Sequence, residues 1–497
     1  MPTYAYERLS AQDSSFLVFE GPSTHMHVGG VAILDGGPVT KPGGGLDIER
    51  IRAYIGSRLH RIPRYRQRLM FTPVENHPVW VDDDHFNLGY HVRHTSLPYP
   101  GDDHQLKRLV GWIMSQQLDR GKPLWEAWIV EGLHGGRYAF VSKGHHCMID
   151  GIASVDLISV LLRTTSDDRI EPSPPWIPRP APTSLELLRD ETMRRLQTPG
   201  ELARTLRRIW EEPERVRAAV GERLAATWQL LGAGLRLVPE TPLNRAVGPH
   251  RRFDWLVLDL AEVKEVKNRF GTTVHDVVLA VAAGALRRFF MRRHVDVRSM
   301  DYRVVLPVNM RNADDHGAGN RVSAWITSLP IQEAHPQRRL LAVREITTQL
   351  KASKQELGAD ALAQVGEWAG SGLLTLGVRL AARLHPFHLI ITNVAGPQLP
   401  LYMLGARMIE GYPQVPLFEN QGLGIALFSY AGKLCWGFNA DWDLVPDLHE
   451  IVEATAESFR ELQTAARAPT YVTGAARAAR ATRRHPRATR AGGAGRA

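Results

Sequence analysis

With 497 residues, 44% of them apolar and 23% charged, the chain is too long for one ordinary core and too apolar to be disordered, so two globular units with connectors are expected. A formal charge of +9 points to an anionic partner until it is located: Arg467 to Ala497 holds eight arginines and no acid, which leaves the preceding chain nearly neutral and speaks against a specific nucleic-acid partner. Two cysteines, Cys147 and Cys435, exclude a disulfide framework and fit a reducing cytoplasm.

No basic stretch followed by an apolar segment opens the chain, so no secretory signal is expected. No uncharged apolar run reaches the ~18 residues of a spanning helix; the stretch Thr272 to Leu286 is broken by His275 and Asp276. Any lipid would be met from the surface.

Taken in order, residues 1–165 read as a mixed α/β unit. His27 to Leu34 is a predicted strand, Ile48 to Leu59 a helix, and Ala127 to Leu133 and Tyr138 to Ser142 strands. Residues 166–248 read as a connector. The stretch Thr164 to Pro182 is too rich in proline for helix or central strand, and Thr183 to about Val238 is helical, basic and interleaved with Leu and Trp. Such a helix either lies on an anionic membrane surface or packs its apolar stripe on the flanking units. Residues 249–465 form a second α/β unit. Its predicted strands are Phe253 to Leu260, Tyr302 to Pro307, Leu389 to Val394, Leu423 to Tyr430 and Lys433 to Asn439; its helices are Ala261 to Phe270, Val274 to Phe290 and Leu448 to Gln463. Ala431-Gly432 reads as a hairpin turn. Residues 466–497 are low in complexity and expected to be disordered, a solubilising tail with at most a weak, salt-sensitive attraction to anionic lipid headgroups or nucleic acid.

Chemistry concentrates in Phe140-Val-Ser-Lys-Gly-His-His-Cys-Met-Ile-Asp-Gly-Ile152. Arg137 to Ser142 alternates as a strand and Gly151 to Leu162 has helical spacing, so His145 and His146 sit where a strand runs out and a loop presents reactive groups. Imidazole is the natural general base for a hydroxyl or amine at neutral pH. Asp150 can cap the following helix, and Gly151 permits a positive φ or a close backbone approach. Cys147 adjoins the histidines, but alternation along an extended segment turns it away, so a packed, inert thiol is preferred to a nucleophile. His25 and His27 share a strand face, yet no cysteine or carboxylate set at ligand spacing accompanies them, and no metal is expected.

His145-His146-Cys-Met-Ile-Asp150-Gly151 resembles the HHxxxDG signature of the CoA-dependent acyltransferases, the superfamily of chloramphenicol acetyltransferase and peptide-synthetase condensation domains. Further segments resemble one branch, the bacterial wax ester synthase/diacylglycerol acyltransferase family: Glu7 to Leu17, Thr24-His-Met-His-Val-Gly29, Pro123-Leu-Trp125, Pro242-Leu-Asn244, His275-Asp-Val-Val-Leu279, Leu306 to Arg311, Gly319-Asn320 and Thr392-Asn-Val-Ala-Gly-Pro397.

The resemblance implies two chloramphenicol acetyltransferase-like domains joined by a helical linker, with an active-site tunnel between them. It carries the base role to His146 and orienting roles to His145 and Asp150. It suggests substrate contacts from His275, Asp276, Asn393 and Trp125, although packing by Trp125 and turn formation around Asn393 are equally good chemistry. His275 departs from the family, which has asparagine there; imidazole offers one donor and one acceptor in different directions. The implied reaction is direct transfer from long-chain acyl-CoA, a co-substrate and not a bound cofactor, to the hydroxyl of diacylglycerol. A long-chain alcohol giving wax ester, or a weakly active lipid-binding relative, are the alternatives. The implied location is cytoplasmic, at the membrane face or a lipid inclusion.

Overall fold

The computed structural model describes residues 4–148, 160–194, 238–309, 322–352 and 387–468. The first part opens with β1 (Glu7–Arg8), α1 (Ala11–Phe19) and β2 (His27–Asp35), followed by α2 (Ile48–Arg58) and the hairpin β3 (Gln67–Phe71) and β4 (Pro78–Asp82). Then come α3 (Leu88–His91), β5 (Val92–Ser96), α4 (Asp103–Ser115), β6 (Trp125–Leu133) and β7 (Arg137–His145). After the connector the chain continues with β8 (Arg251–Asp259), α5 (Leu260–Phe270), α6 (Val274–Arg292), β9 (Tyr302–Asn309), β10 (Val322–Leu329) and α7 (Pro336–Ala352). It ends with β11 (Leu389–Ala395), β12 (Tyr402–Met403), β13 (Ala406–Gln414), β14 (Leu423–Tyr430), β15 (Lys433–Asp441) and α8 (Leu448–Arg467).

Local chemistry explains several boundaries. Asp102 and Gln105 form a reciprocal capping box that starts α4, and Thr273 with Asp276 does the same for α6. Ala431 and Gly432 both take positive φ, 44° and 82°, which is the turn that matches strand twist in a two-residue hairpin. The predicted strand over Phe253 to Leu260 loses its last residue to α5, because Asp259 caps that helix through Ala261 N and Glu262 N.

Two six-stranded sheets organise the molecule, in the orders β12-β13-β2-β7-β6-β5 and β10-β9-β11-β14-β15-β8; β1, β4 and β3 make a small third sheet. The second sheet buries one face under α5 to α8, where Ile391, Leu427 and Trp436 meet Leu279, Leu286 and Phe459. The first sheet packs one face on α2 and the other on α4, with Val31 and Val141 against Leu106, Val110 and Ile113. Each such side chain contributes roughly 1.5–3 kcal/mol by leaving water.

The division into consecutive units 1–165 and 249–465 needs correction. β12 and β13 belong to the second half of the chain but complete the first sheet: β13 pairs antiparallel with β2 from Met408↔Leu34 to Gln414↔Gly29. The exchange is anchored by Tyr430, whose buried hydroxyl accepts from Leu401 N at 2.8 Å and donates to Met408 O at 3.0 Å. In the other direction α4 leans on β8, where Arg251 N donates to Ser115 Oγ at 2.8 Å and Lys107 pairs with Asp254 at 2.5 Å. Crossing the halves covers an edge of β2 that would otherwise present unpaired backbone groups.

The proline-rich connector is strapped to the first part. Arg179 grips Asp82 through Nε at 2.9 Å and Nη2 at 2.8 Å, and Arg66 lies over Trp176 at 5.0 Å. Residues 184–194 are helical, and Glu191 accepts from Val74 N and Glu75 N. The remainder of the predicted basic helix, residues 195–237, and the tail beyond 468 lie outside the described residues, as does most of the helix predicted over Gly151 to Leu162.

Candidate active site at the end of β7

β7 pairs with β2 and β6 along its length, with His145 opposite His27 and Gly144 opposite both Val28 and Trp125. The strand ends in a tight turn: His145 N donates to Leu124 O at 2.9 Å, His146 N to Met26 O at 2.8 Å, and Met148 N to His145 O at 2.9 Å. Strand alternation sends the two histidines to opposite sides.

His145 is buried. Its Nδ1 accepts from Cys147 N at 3.1 Å, which fixes the turn and leaves the proton on Nε2, 3.5 Å from the carboxylate of Glu20. Glu20 also lies 3.8 Å from His27 and is held by Arg120 at 2.5 Å. Burial works to raise the Glu20 pKa, but the charge and hydrogen bonds of His145 and Arg120 outweigh it and hold the carboxyl at about 2. Neither ring nitrogen of buried His27 makes a hydrogen bond of ordinary geometry among the described residues. Burial, and then the nearby Lys143 ammonium, push its pKa well below the usual histidine value. Lys143 itself is buried, donates to Ile113 O at 2.9 Å and Gln116 O at the end of α4, and is lowered by burial to about 8.

His146 points the other way. It lies flat against Phe16 of α1, ring centroids 3.8 Å apart, and is half-buried, its Nδ1 out of contact with solvent and unbonded among the described residues. Burial, and then repulsion from His145, lower its pKa to about 4, so the imidazole is neutral across the physiological range. On the same side of the sheet an apolar cleft runs past Trp125, Gly144 and Val28 toward Leu34 and Met408. Cys147 is buried and its thiol is pushed up by burial, then by Asp13, which suits a packed and unreactive side chain.

The other candidates are distributed unevenly. Trp125 lines the cleft, stacks on His91 with centroids 4.7 Å apart, and donates Nε1–H to Tyr65 O at 2.8 Å, so it packs and borders the cleft at once. Both oxygens of Asp276 are engaged within the protein: one accepts from Thr273 N at 2.8 Å in the capping box and the other from Thr347 Oγ1 at 2.7 Å. His275 is half-buried in the first turn of α6, its pKa lowered by burial. Asn393 shares a strand face with Ile391 and the helix-covered core, whereas its neighbour Val394 lines the cleft. No hydrogen bond, ion pair or ring contact joins His275 or Asn393 to His146 among the described residues. Asp150 and Gly151 lie outside the described residues.

His25 donates Nε2–H to Pro22 O at 3.0 Å, and its ring is 5.4 Å from that of His27. A carboxylate does accompany these histidines in space, Glu20, but no group of three or more His, Cys, Asp or Glu among the described residues is arranged to hold a metal ion. Glu20 and Phe16 do not show as site residues in the sequence because the adjacent histidines that they meet, His145 and His146, lie far along the chain. The one local signal was the motif over Glu7 to Leu17, which ends just short of Glu20.

Comparison with known proteins gives one family from sequence and the same fold from solved structures. Residues 9–278 match the wax ester synthase/diacylglycerol acyltransferase catalytic domain and residues 318–463 the WS/DGAT C-terminal domain. A Mycobacterium tuberculosis protein whose name places it provisionally among the diacylglycerol O-acyltransferases is 32% identical over 468 residues, covering 92% of this chain and 90% of the relative. A second M. tuberculosis protein named in the same way is 31% identical over 460 residues, covering 91% and 95%. Among solved structures, the wax ester synthase/diacylglycerol acyltransferase of Marinobacter aquaeolei VT8 superposes with a TM-score of 0.66 at 24% identity over 93% of this chain and 99% of that one. The first condensation domain of the CDA synthetase superposes with 0.55 at 17% identity over 94% and 98%. The two-part α/β architecture is thus shared with both, and the chain belongs to the wax ester synthase/diacylglycerol acyltransferase family.

Proposed function

We propose that this protein transfers the acyl group of a long-chain acyl-CoA directly to the free hydroxyl of diacylglycerol, forming triacylglycerol, with His146 as general base. The observation that carries the reading is a neutral, half-buried imidazole at the end of β7, on the side of the sheet where an apolar cleft begins. The hydroxyl oxygen attacks the thioester carbonyl while His146 takes its proton. The tetrahedral intermediate then expels the CoA thiolate, which recovers that proton from the imidazolium. General-base assistance of this kind is worth ~10²–10⁴ in rate. Holding donor and acceptor together adds to it by removing translational freedom.

His145 and Glu20 support the base by fixing the turn from the opposite side. The family description also names wax ester synthesis, so a long-chain alcohol is the second acceptor reading. No helix among the described residues is long and apolar enough to cross a membrane; the lipid substrates would be met peripherally, at a membrane face or lipid inclusion in the cytoplasm.

Purified protein incubated with radiolabelled palmitoyl-CoA and either dioleoylglycerol or hexadecanol tests this. Label in triacylglycerol, lost in His146→Ala, is expected. Label only in wax ester replaces the acceptor, and label in neither favours a lipid-binding relative without turnover.

A further inference from the structure

The helices that cover the second sheet meet at a crevice between the C-terminal part of α6, the start of α7 and α8. It encloses about 650 Å³ including its open mouth, within the ~300–1,000 Å³ of small-ligand sites. Arg287, Arg288, Arg292 and Arg339 line it together with one acid, Glu461. Arg287 lies roughly 18 Å along α6 from His275, at ~1.5 Å per residue, and the crevice shares no residue with the apolar cleft beside His146.

The floor of the crevice is fixed. Gly284 makes room for it: a side chain there would meet Ser458 Oγ and, at 2.5 Å, Arg339 Nη2. The buried Arg339 guanidinium occupies that space between α6 and α8. It donates Nε–H to Ala280 O at 3.1 Å, and Nη1 to Glu333 O at 3.1 Å and Ala334 O at 3.2 Å. Glu461 meets it at 3.3 Å and also holds Arg288.

The remaining charge does not balance. Half-buried Arg287 gives Nη1 to the carbonyls of Ile331 and Gln332, at 3.2 and 3.1 Å, and has no carboxylate partner among the described residues. Arg292 makes no hydrogen bond among the described residues; Glu450 and Glu457 stand 3.7 and 3.6 Å away, and Glu457 is shared with Arg288 at 3.3 Å. Four guanidiniums thus divide three carboxylates, and α7 begins here with the positive end of its dipole. Spare guanidinium N–H groups without a counter-charge suit an anion, and their planar fork matches phosphate. A phosphate monoester, with a charge of about −1.5 to −2 and three acceptor oxygens, can take donors from both arginines at once.

We infer that this crevice binds a phosphate monoester, held by Arg287 and Arg292 above the fixed pair of Arg339 and Glu461. The group belongs either to a free phosphate compound or to the headgroup of an anionic lipid, for which the exposed Met291 at the mouth offers an apolar contact. The site goes beyond the acyl-transfer reading and does not depend on it.

The full chain and the variants Arg287→Gln, Arg292→Gln and Glu461→Gln are titrated by calorimetry with inorganic phosphate and with glycerol 3-phosphate. Each is also sedimented with phosphatidylcholine vesicles that contain phosphatidate or lack it. Arg169→Gln, at an exposed position on the connector, controls for the loss of one charge. Each of the first two variants should weaken binding about tenfold or more. Glu461→Gln should strengthen it by removing the acid that lines the crevice, and Arg169→Gln should leave it unchanged. Weakening confined to the soluble probes assigns the site to a free phosphate compound; weakening that extends to phosphatidate vesicles assigns it to a headgroup. Absence of saturable binding to every probe, or affinities that Arg287→Gln and Arg292→Gln leave unchanged, overturns the inference. So does a folded Glu461→Gln that binds no tighter. Should Arg287→Gln fail to fold for want of its carbonyl bonds, Arg292→Gln gives the same readout from an exposed position. None of these readouts uses turnover, so their failure leaves the transfer of label to triacylglycerol as a separate question.

Discussion

Phe16 lies on His146 with ring planes 15° apart, and the helix that supplies it is capped by Glu20, the carboxylate that faces His145 from the other side of the sheet. One nine-residue helix, α1, therefore sets both adjacent histidines. Replacing His146 by Ala should lower transfer by ~10²–10⁴ while the thermal midpoint stays near that of the parent. Phe16→Ala removes the stack, worth about 0.5–1.5 kcal/mol beyond the apolar contact that Phe16 makes with the core, and should lower kcat by up to about tenfold. Retained turnover in His146→Ala, measured by label in triacylglycerol, removes that residue from the base role.

The pH dependence follows from the buried imidazoles. The proposed base role needs His146 neutral, and burial holds its pKa at about 4, so kcat/KM should be flat through neutrality and fall only as pH drops toward that value. An acid limb centred near the ordinary ~6.5 would contradict the environment described here.

Stability should fade in two acid windows. His77 and His146 sit at about 4 when folded, against ~6.5 when unfolded. The unfolded chain binds more protons between those values, so their contribution is complete above ~6.5 and is lost as pH falls to about 4. Glu20 and Asp82, both at about 2, have the opposite charge type but the same sign of effect. Their contribution is present above ~4 and disappears as pH falls through about 2. The urea midpoint followed from neutral pH downward should show the first decline before any carboxylate of ordinary pKa titrates.

The His-His and Asp-Gly motif and the strands that lead into it are legible because they are local. β2, β6, β7, β14 and β15 alternate or run apolar within single stretches, and the His-His pair followed by Asp-Gly is contiguous in the chain. What could not be read depends on distance. β13 looks like an ordinary second-half strand, yet its partner is β2, nearly four hundred residues earlier, and nothing in its own composition announces that. The α4 helix does not stand out in the sequence because Asp103 to Ser115 mixes His, Lys and Arg into its apolar spacing; its core face is defined by Leu106, Val110 and Ile113 packing on the sheet. Asp276 was drawn toward the substrate by its motif, while its two oxygens go to Thr273 and to Thr347 on α7.

That reassignment is testable. Asp276→Ala removes the capping box of α6 and the tie to α7, at a combined cost of about 1–3 kcal/mol. The variant should unfold at lower urea yet turn over normally per folded molecule. A loss of kcat with unchanged stability would return Asp276 to the substrate site.

Glu20 separates positioning from mere support. Glu20→Gln keeps the shape of the side chain but removes the charge that faces His145 at 3.5 Å, His27 at 3.8 Å and Arg120 at 2.5 Å. With the negative charge gone, the Nε2–H of His145 loses its charged partner, and only the Cys147 N–H bond to Nδ1 still holds the ring in that tautomer and orientation. The turn bearing His146 loosens, and misplacement of a base is felt in the chemical step more than in binding. The expected outcome is a fall in kcat of about tenfold or more with KM for acyl-CoA within about twofold, read from initial rates across the substrate range. Equal changes in both constants, or a lower thermal midpoint with normal kcat, would show Glu20 to be a structural ion-pair partner of Arg120 and nothing more.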